Sequence, residues 1–200
     1  MDCGKVGALL LRLRKEKSLT QKQVAERLNL SDKTISKWER GLGCPDVNVL
    51  DELSNLFEVN IEGILQGDLE ANRADAGNLR RVRFYVCRCC GNVIHATGNA
   101  SVSCCGRRLS PLAAKPADGE HAATVEDSDG SAYLTFAHGM QKDHFISFVA
   151  YVAGDKLLFV RLYPEQDAAV ILPQTTARAL SFRHSRQLYF YCTVHGLFQY

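Results

Sequence analysis

The sequence predicts a multidomain α + β protein, with a helical N-terminal bundle, a small four-cysteine metal domain and a C-terminal β-sandwich. Three observations carry that reading. Apolar residues recur at helical spacing as far as Leu65, and from Phe84 onward the period falls to two. Six of the eight cysteines lie after residue 86, so thiol chemistry is concentrated in the second half. Charge is also divided. Residues 1–40 hold ten Lys/Arg against five Asp/Glu, whereas residues 41–70 hold seven Asp/Glu and no Lys or Arg. A basic stretch backed by an acidic one suits a polyanionic partner near the N-terminus.

The composition, 46% hydrophobic and 23% charged, is that of a packed globular protein. No run reaches the roughly 18 apolar residues of a membrane span. "GALLLRLRKEK" is too short and too Arg-interrupted for a secretory segment. The expectation is therefore a cytoplasmic protein without a membrane partner. Its cysteines should serve metal binding or redox chemistry before structural disulfides.

Five helices are expected in the first 67 residues. Val6, Leu9, Leu10 and Leu13 form the apolar stripe of the first. Thr20 opens the second, with Gln23 completing a capping box and Val24, Ala25 and Leu28 facing inward. Ser31 caps the third, "DKTISKWERG", which stops at Gly41. Ile35 and Trp38 turn inward there, leaving Lys33, Thr34, Ser36 and Lys37 outside. After Pro45, the fourth helix has Val47, Leu50, Leu53 and Phe57 as its apolar side, and Asn60 caps a short fifth.

Residues 68–82 show no apolar period and read as a linker. Short strands and tight turns built around cysteines follow in residues 83–113. Residues 114–200 contain hairpin signals across Asp129-Gly130 and Gly154-Asp155, the second flanked by alternating Phe145, Ser147, Val149 and Tyr151. "RALSFRHSRQLYFYCTVHG" offers two more strands. Short strands at this spacing suggest a sandwich.

Residues 5–66 resemble the phage-repressor/Cro (Xre) helix-turn-helix family, on "LTQKQVAERLNLSDKTISKWERG" and "PDVNVLDELSNLFEVNIEGIL". The resemblance implies a DNA-binding bundle whose second motif helix enters the major groove. It places Gln21 and Lys22 on phosphate, and Thr34, Ser36, Lys37 and Arg40 at or near the groove. Lys33 is the best base-reading cation by chemistry, though lysine is also a general phosphate partner. Trp38 reads as core, and pairing with a nearby carboxylate is the structural alternative for Arg40. A protein-interaction bundle with solvated lysines is the competing account of the whole segment.

Cys87-x-x-Cys90-Gly and Cys104-Cys105-Gly offer four thiolates, which suit tetrahedral zinc or iron. "YVCRCCGNVI" and "VSCCGRRL" resemble the desulforedoxin domain, which implies a rubredoxin-type iron, with zinc as the competitor. Cys89, between two ligands, is a bystander thiol, a redox partner or a substitute ligand.

The resemblance continues to residue 200 with desulfoferrodoxin-type superoxide reductases. It implies an immunoglobulin-like sandwich holding iron on four histidines and one cysteine: His121 in "GEHAATVE", His138 in "AHGM", His144 in "KDHFISFV", and Cys192 and His195 in "CTVHG". His95 and His184 match no ligand position and read as structural. The family usually carries Glu-Lys-His at the first ligand, whereas this chain has Gly119-Glu120-His121. A carboxylate there repels superoxide, and Glu120 becomes a candidate sixth ligand of oxidised metal.

These readings imply a cytoplasmic, homodimeric regulator of a double-stranded DNA operator, sensing superoxide, redox state or iron. A superoxide reductase carrying a DNA-binding domain is the alternative, and a zinc-bound structural module is the third possibility.

Overall fold

Caps and apolar stripes build Met1–Asn72, the first of two compact units into which the computed structural model divides. The structure describes residues 1–69, 71–72, 74, 79–172 and 186–200. His184 and the strand expected around it lie outside the described residues.

Helix α1 (Cys3–Glu16) starts where the Asp2 carboxylate accepts from the amides of Gly4 and Lys5. In α2 (Gln21–Arg27), Thr20 and Gln23 form the full reciprocal capping box. Helix α3 (Asp32–Glu39) is capped by Ser31 and α5 (Ile61–Gln66) by Asn60. Helix α4 (Leu50–Phe57) supplies Leu50, Leu53 and Phe57 to a core shared with Val6, Leu9, Leu10, Leu13, Val24, Ala25, Leu28, Ile35 and Trp38.

Two expectations fail in this unit. Val47 is 75% exposed rather than apolar core. It sits in a 3-10 turn (Val47–Val49) held by the Asp46 carboxylate, so the helical stripe begins only at Leu50. Cys3 and Cys44, expected to be thiols, form a disulfide with their Cα atoms 4.9 Å apart. Close packing of α1 on the end of α3 brings them together. A Cβ on Gly7 would lie 2.0 Å from the Trp38 carbonyl oxygen, so this approach requires glycine.

The second unit, Arg73–Tyr200, is built of β-structure. Strands β1 (Arg83–Val86) and β2 (Val93–Ala96) form one hairpin, and β3 (Val102–Cys104) and β4 (Arg107–Leu109) another. Then come β5 (Lys115–Pro116), β6 (Ala123–Ser128), β7 (Ser131–Phe136), β8 (Ile146–Ala153), β9 (Lys156–Arg161), β10 (Ala169–Leu172), β11 (Arg186–Cys192) and β12 (Gly196–Gln199). They form a five-stranded sheet in the order β5-β12-β11-β8-β9 and a three-stranded sheet β10-β7-β6. The expected turns at Asp129-Gly130 and Gly154-Asp155 close β6–β7 and β8–β9.

Alternation along β8 does not separate water from core, because both of its faces are covered. Ile146, Val149 and Tyr151 join a core with Leu134 and Leu172 of the smaller sheet. Phe148, Ala150 and Val152 join another with Val82, Phe84 and Tyr191. Ser147 is buried as well. Residues 79–82, in the segment read as linker, therefore belong to this packing, and Leu79 N–H donates to the Gly154 carbonyl. Among the described residues no helix is long and apolar enough to cross a membrane.

Candidate metal centres and helix-turn-helix surface

Four histidines and one cysteine reach one point from four separate parts of the second unit. His121 closes a 3-10 turn (Gly119–His121) after β5, His138 follows β7, and His144 precedes β8. Cys192 ends β11, where a register shift interrupts its pairing with β8, and His195 lies in the turn to β12. One ligand atom from each of the five lies within 4.8 Å of the others. His121 Nε2 is 3.1 Å from His195 Nδ1, which is 3.2 Å from His144 Nε2, which is 3.1 Å from His138 Nε2. Cys192 Sγ is 3.5 Å from His195 Nδ1 and also accepts the His195 amide N–H at 3.4 Å.

Neighbouring side chains fix these rings. His121 is 3% exposed, stacks on Phe198 with centroids 4.1 Å apart, and places Nδ1 3.0 Å from the Asp118 carboxylate. A carboxylate on the outer nitrogen sets the tautomer and aims the inner nitrogen at a metal position. Burial, reinforced by the His144 and His121 rings, holds His138 below the usual imidazole pKa and so favours its neutral, ligating form. A buried thiol and four converging imidazole nitrogens fit a borderline divalent metal such as Fe(II). Glu120 is exposed and is not one of the five, so the structure does not bring it to the cluster. The reason is local: a 3-10 turn that points His121 inward turns its neighbour away.

The second group sits on the two hairpins. Sγ atoms of Cys87, Cys90, Cys104 and Cys105 lie within 4.8 Å of one another, with Cys90 and Cys104 at 3.6 Å. Gly91 and Gly106, each just after a cysteine pair, take left-handed φ of +70° and turn the chain back around the thiols. Amides of Cys90 and Cys89 pull the Cys87 thiol down to about 7. The adjoining Cys90 and Cys87 thiols push Cys105 up to about 12. Such crowding prevents joint ionisation unless a cation sits among the sulfurs, as four-thiolate metal sites require. Cys89 is exposed and outside the four. His95, read as structural, is exposed and stacks on Phe159.

In the first unit, α2 and α3 form a helix-turn-helix across residues 28–31. Lys22, Lys33, Lys37 and Arg40 are exposed, and Thr34 and Ser36 half-buried. Gln21 is otherwise engaged: its amide donates to Glu39 at 2.7 Å, beside the Arg14 guanidinium on the same carboxylate. Burial opposes ionisation of Glu39, but Arg14 and Gln21 outweigh it and hold the carboxyl below its usual pKa. Arg40 donates from Nε to the Ser36 carbonyl. Lys22 lies 3.9 Å from Glu26.

Sequence reasoning missed Asp118, Phe198 and Lys115, whose Nζ donates to the His195 carbonyl at 3.2 Å. Only Asp118 left a signal, an acid three residues before a histidine.

Residues 10–64 match the helix-turn-helix family profile. The HTH-type transcriptional activator BcrR of Enterococcus faecalis is 39% identical over 80 residues, 38% of this chain. The match spans only 39% of that activator's length. Desulfoferrodoxin of Syntrophotalea carbinolica is 26% identical over 125 residues, covering 58% of this chain and 94% of that protein. The superoxide reductase structure from Treponema pallidum aligns with a TM-score of 0.49 at 17% identity, over 60% of this chain and 96% of that one. The chain thus joins an N-terminal helix-turn-helix domain of transcription-regulator type to a C-terminal region that matches desulfoferrodoxins and carries candidate His/Cys metal sites.

Proposed function

We propose that this protein is a cytoplasmic, DNA-binding transcriptional regulator that senses superoxide, redox state or iron supply through its desulfoferrodoxin-like region. The observation that carries the reading is the convergence of His121, His138, His144, His195 and Cys192 in a chain that also holds a helix-turn-helix. Residues 1–67 act as the DNA-reading domain, 83–113 as the four-cysteine domain for iron or zinc, and 114–200 as an immunoglobulin-like sandwich. His121, His138, His144, His195 and Cys192 would hold iron, which when bound would supply the one electron that, with two protons, takes superoxide to hydrogen peroxide.

The residues of this chain set how that chemistry proceeds. Asp118 keeps His121 in its ligating tautomer, and Phe198 holds the ring in place. The His195 amide donates to the Cys192 sulfur and so moderates the electron density the thiolate delivers. Lys22, Lys33 and Lys37 supply exposed positive charge for duplex DNA, Lys33 and Lys37 on the recognition helix α3. A homodimer matches two half-sites one helical turn apart.

Selection of bound duplexes from a random-sequence pool tests the reading, run with reduced, oxidised and chelator-treated protein. One enriched motif with affinity that differs among the three states is expected. Equal affinity in all three states would end the sensing account, as would zinc alone at both sites.

A superoxide reductase that carries a DNA-binding domain is the second reading. Lys115 favours it, because its ammonium at the His195 turn offers a cation that Glu120 does not. Fast consumption of superoxide by iron-loaded protein, without state-dependent DNA binding, would select it.

A further inference from the structure

We infer that Cys3 and Cys44 form a second, reversible redox site, a dithiol that peroxide oxidises to the disulfide seen in the DNA-reading unit. The inference rests on the reading above for the source of peroxide, but not for the dithiol itself. Neither cysteine belongs to a metal-ligating group, and both are half-buried, within reach of a small oxidant. Their positions give the bridge a defined effect. Cys3 opens α1 and Cys44 lies five residues beyond the last residue of α3, Glu39, so the 41-residue separation encloses all of α1, α2 and α3. Oxidation therefore ties the start of α1 to the segment just beyond α3, with the helix-turn-helix of α2 and α3 inside the closed loop.

Backbone packing between α1 and the end of α3, apart from the sulfurs themselves, sets the two cysteines side by side. Gly7 against the Trp38 carbonyl, and Gly41 with its added Cβ 2.9 Å from Gly4 Cα, already bring the start of α1 to the exit of α3. Cys3 also lies in the first turn of a 14-residue helix, where the backbone dipole favours a thiolate. That makes it the attacking sulfur.

The chemistry balances with peroxide as oxidant. The Cys3 thiolate attacks one peroxide oxygen, the O–O bond breaks, an S–O bond forms, and the departing oxygen takes a proton to leave as water. The Cys44 thiol then attacks the sulfenic sulfur, the S–S bond forms, the S–O bond breaks, and a second water leaves. Two thiols lose two electrons to one peroxide, and a cellular dithiol reductant reverses the step. Iron held at the five-ligand centre would give superoxide one electron, and with two protons from solvent the product would be the peroxide this dithiol consumes. The two units are thereby linked through a diffusible product.

The test uses full-length, iron-loaded protein reduced and held without oxygen. Equimolar hydrogen peroxide is added, free thiols are alkylated, and cross-linked peptides are read by mass spectrometry. Formation of the Cys3–Cys44 peptide pair is expected, with a rise of roughly 10 °C in the melting of the N-terminal unit. In Cys44→Ser, Cys3 should instead accumulate as a dimedone-trapped sulfenic acid. Both thiols still alkylated after peroxide, with no adduct in the variant, would overturn the site.

A second arm adds superoxide. With superoxide kept below the amount of ferrous iron, each superoxide reduced there would yield one peroxide, whereas spontaneous dismutation yields half, so the native chain should form about twice the bridge that His144→Ala forms. Equal yields, with added peroxide still closing the bridge, would overturn superoxide reduction at the metal centre and leave the dithiol standing.

Discussion

The helical unit and the β unit are held together over different lengths of chain. In the first, Asp2, Thr20, Ser31 and Asn60 each cap a helix by accepting an amide no more than three residues away. In the second, the contacts that make the metal centre join His121 to His195 across 74 residues and Lys115 to His195 across 80. A cap forms as soon as its own turn forms. The five-ligand centre exists only after β5, β7, β8, β11 and β12 have assembled. Damage to the second unit should therefore cost more and spread further than damage to the first.

Phe198→Ala is the strongest test of that contrast. Phe198 is 2% exposed, stacks on Phe190 at 5.5 Å and holds the His121 ring at 4.1 Å. Truncation should cost about 3–5 kcal/mol in denaturant unfolding and should also lower iron content. A loss of stability with full iron retention would show that Asp118 alone positions His121.

Gly7→Ala probes a contact between distant residues of the helical unit, the crossing of α1 on α3. An added Cβ 2.0 Å from the Trp38 oxygen forces α1 and α3 apart. The expected cost is about 2–3 kcal/mol, read from thermal melting, and the Cys3–Cys44 bridge should form more slowly. If the variant melts like the parent, the two helices are not locked at that crossing.

How much of this was legible in the sequence follows the same divide. Thr20-x-x-Gln23, Ser31 and Asn60 announce helices because each signal and its target share one turn. Cys87-x-x-Cys90 and Cys104-Cys105 announce a metal group because each pair lies on a single hairpin. His121, His138 and His144 carry no such local signal; only the resemblance to a known family singles them out. The Cys3–Cys44 pair was invisible because its proximity depends on the crossing of α1 and α3, not on spacing. Strand β5, two residues paired parallel to β12, leaves no periodicity to read. Val47 misled because a 3-10 turn ahead of α4 rotates it off the stripe.

Asp118→Asn takes a smaller step within the second unit. The amide keeps the shape and a hydrogen bond to His121 Nδ1 but removes the charge that favours the ligating tautomer. Metal affinity should fall by about 10–100-fold, measured by competition with a chelator of known strength, while the unfolding midpoint of metal-free protein stays unchanged. A shift in that midpoint would make Asp118 a structural residue rather than one that acts through the metal.

Thr20→Ala should have the least effect, and its smallness is the point. The hydroxyl accepts the Gln23 amide at 3.1 Å while the Gln23 side chain accepts the Thr20 amide at 2.8 Å. Removing the hydroxyl leaves one orphan donor at the start of α2, an exposed end that water can solvate, so the cost should be about 1 kcal/mol. The α2 end is also held by Gln21 on Glu39, a bond the substitution leaves in place. DNA selected by the parent should still be bound, and the iron centre should be untouched. If this one hydroxyl lowered metal content, the unit built from local caps would be energetically joined to the unit built from distant pairings, and the contrast between them would have to be abandoned.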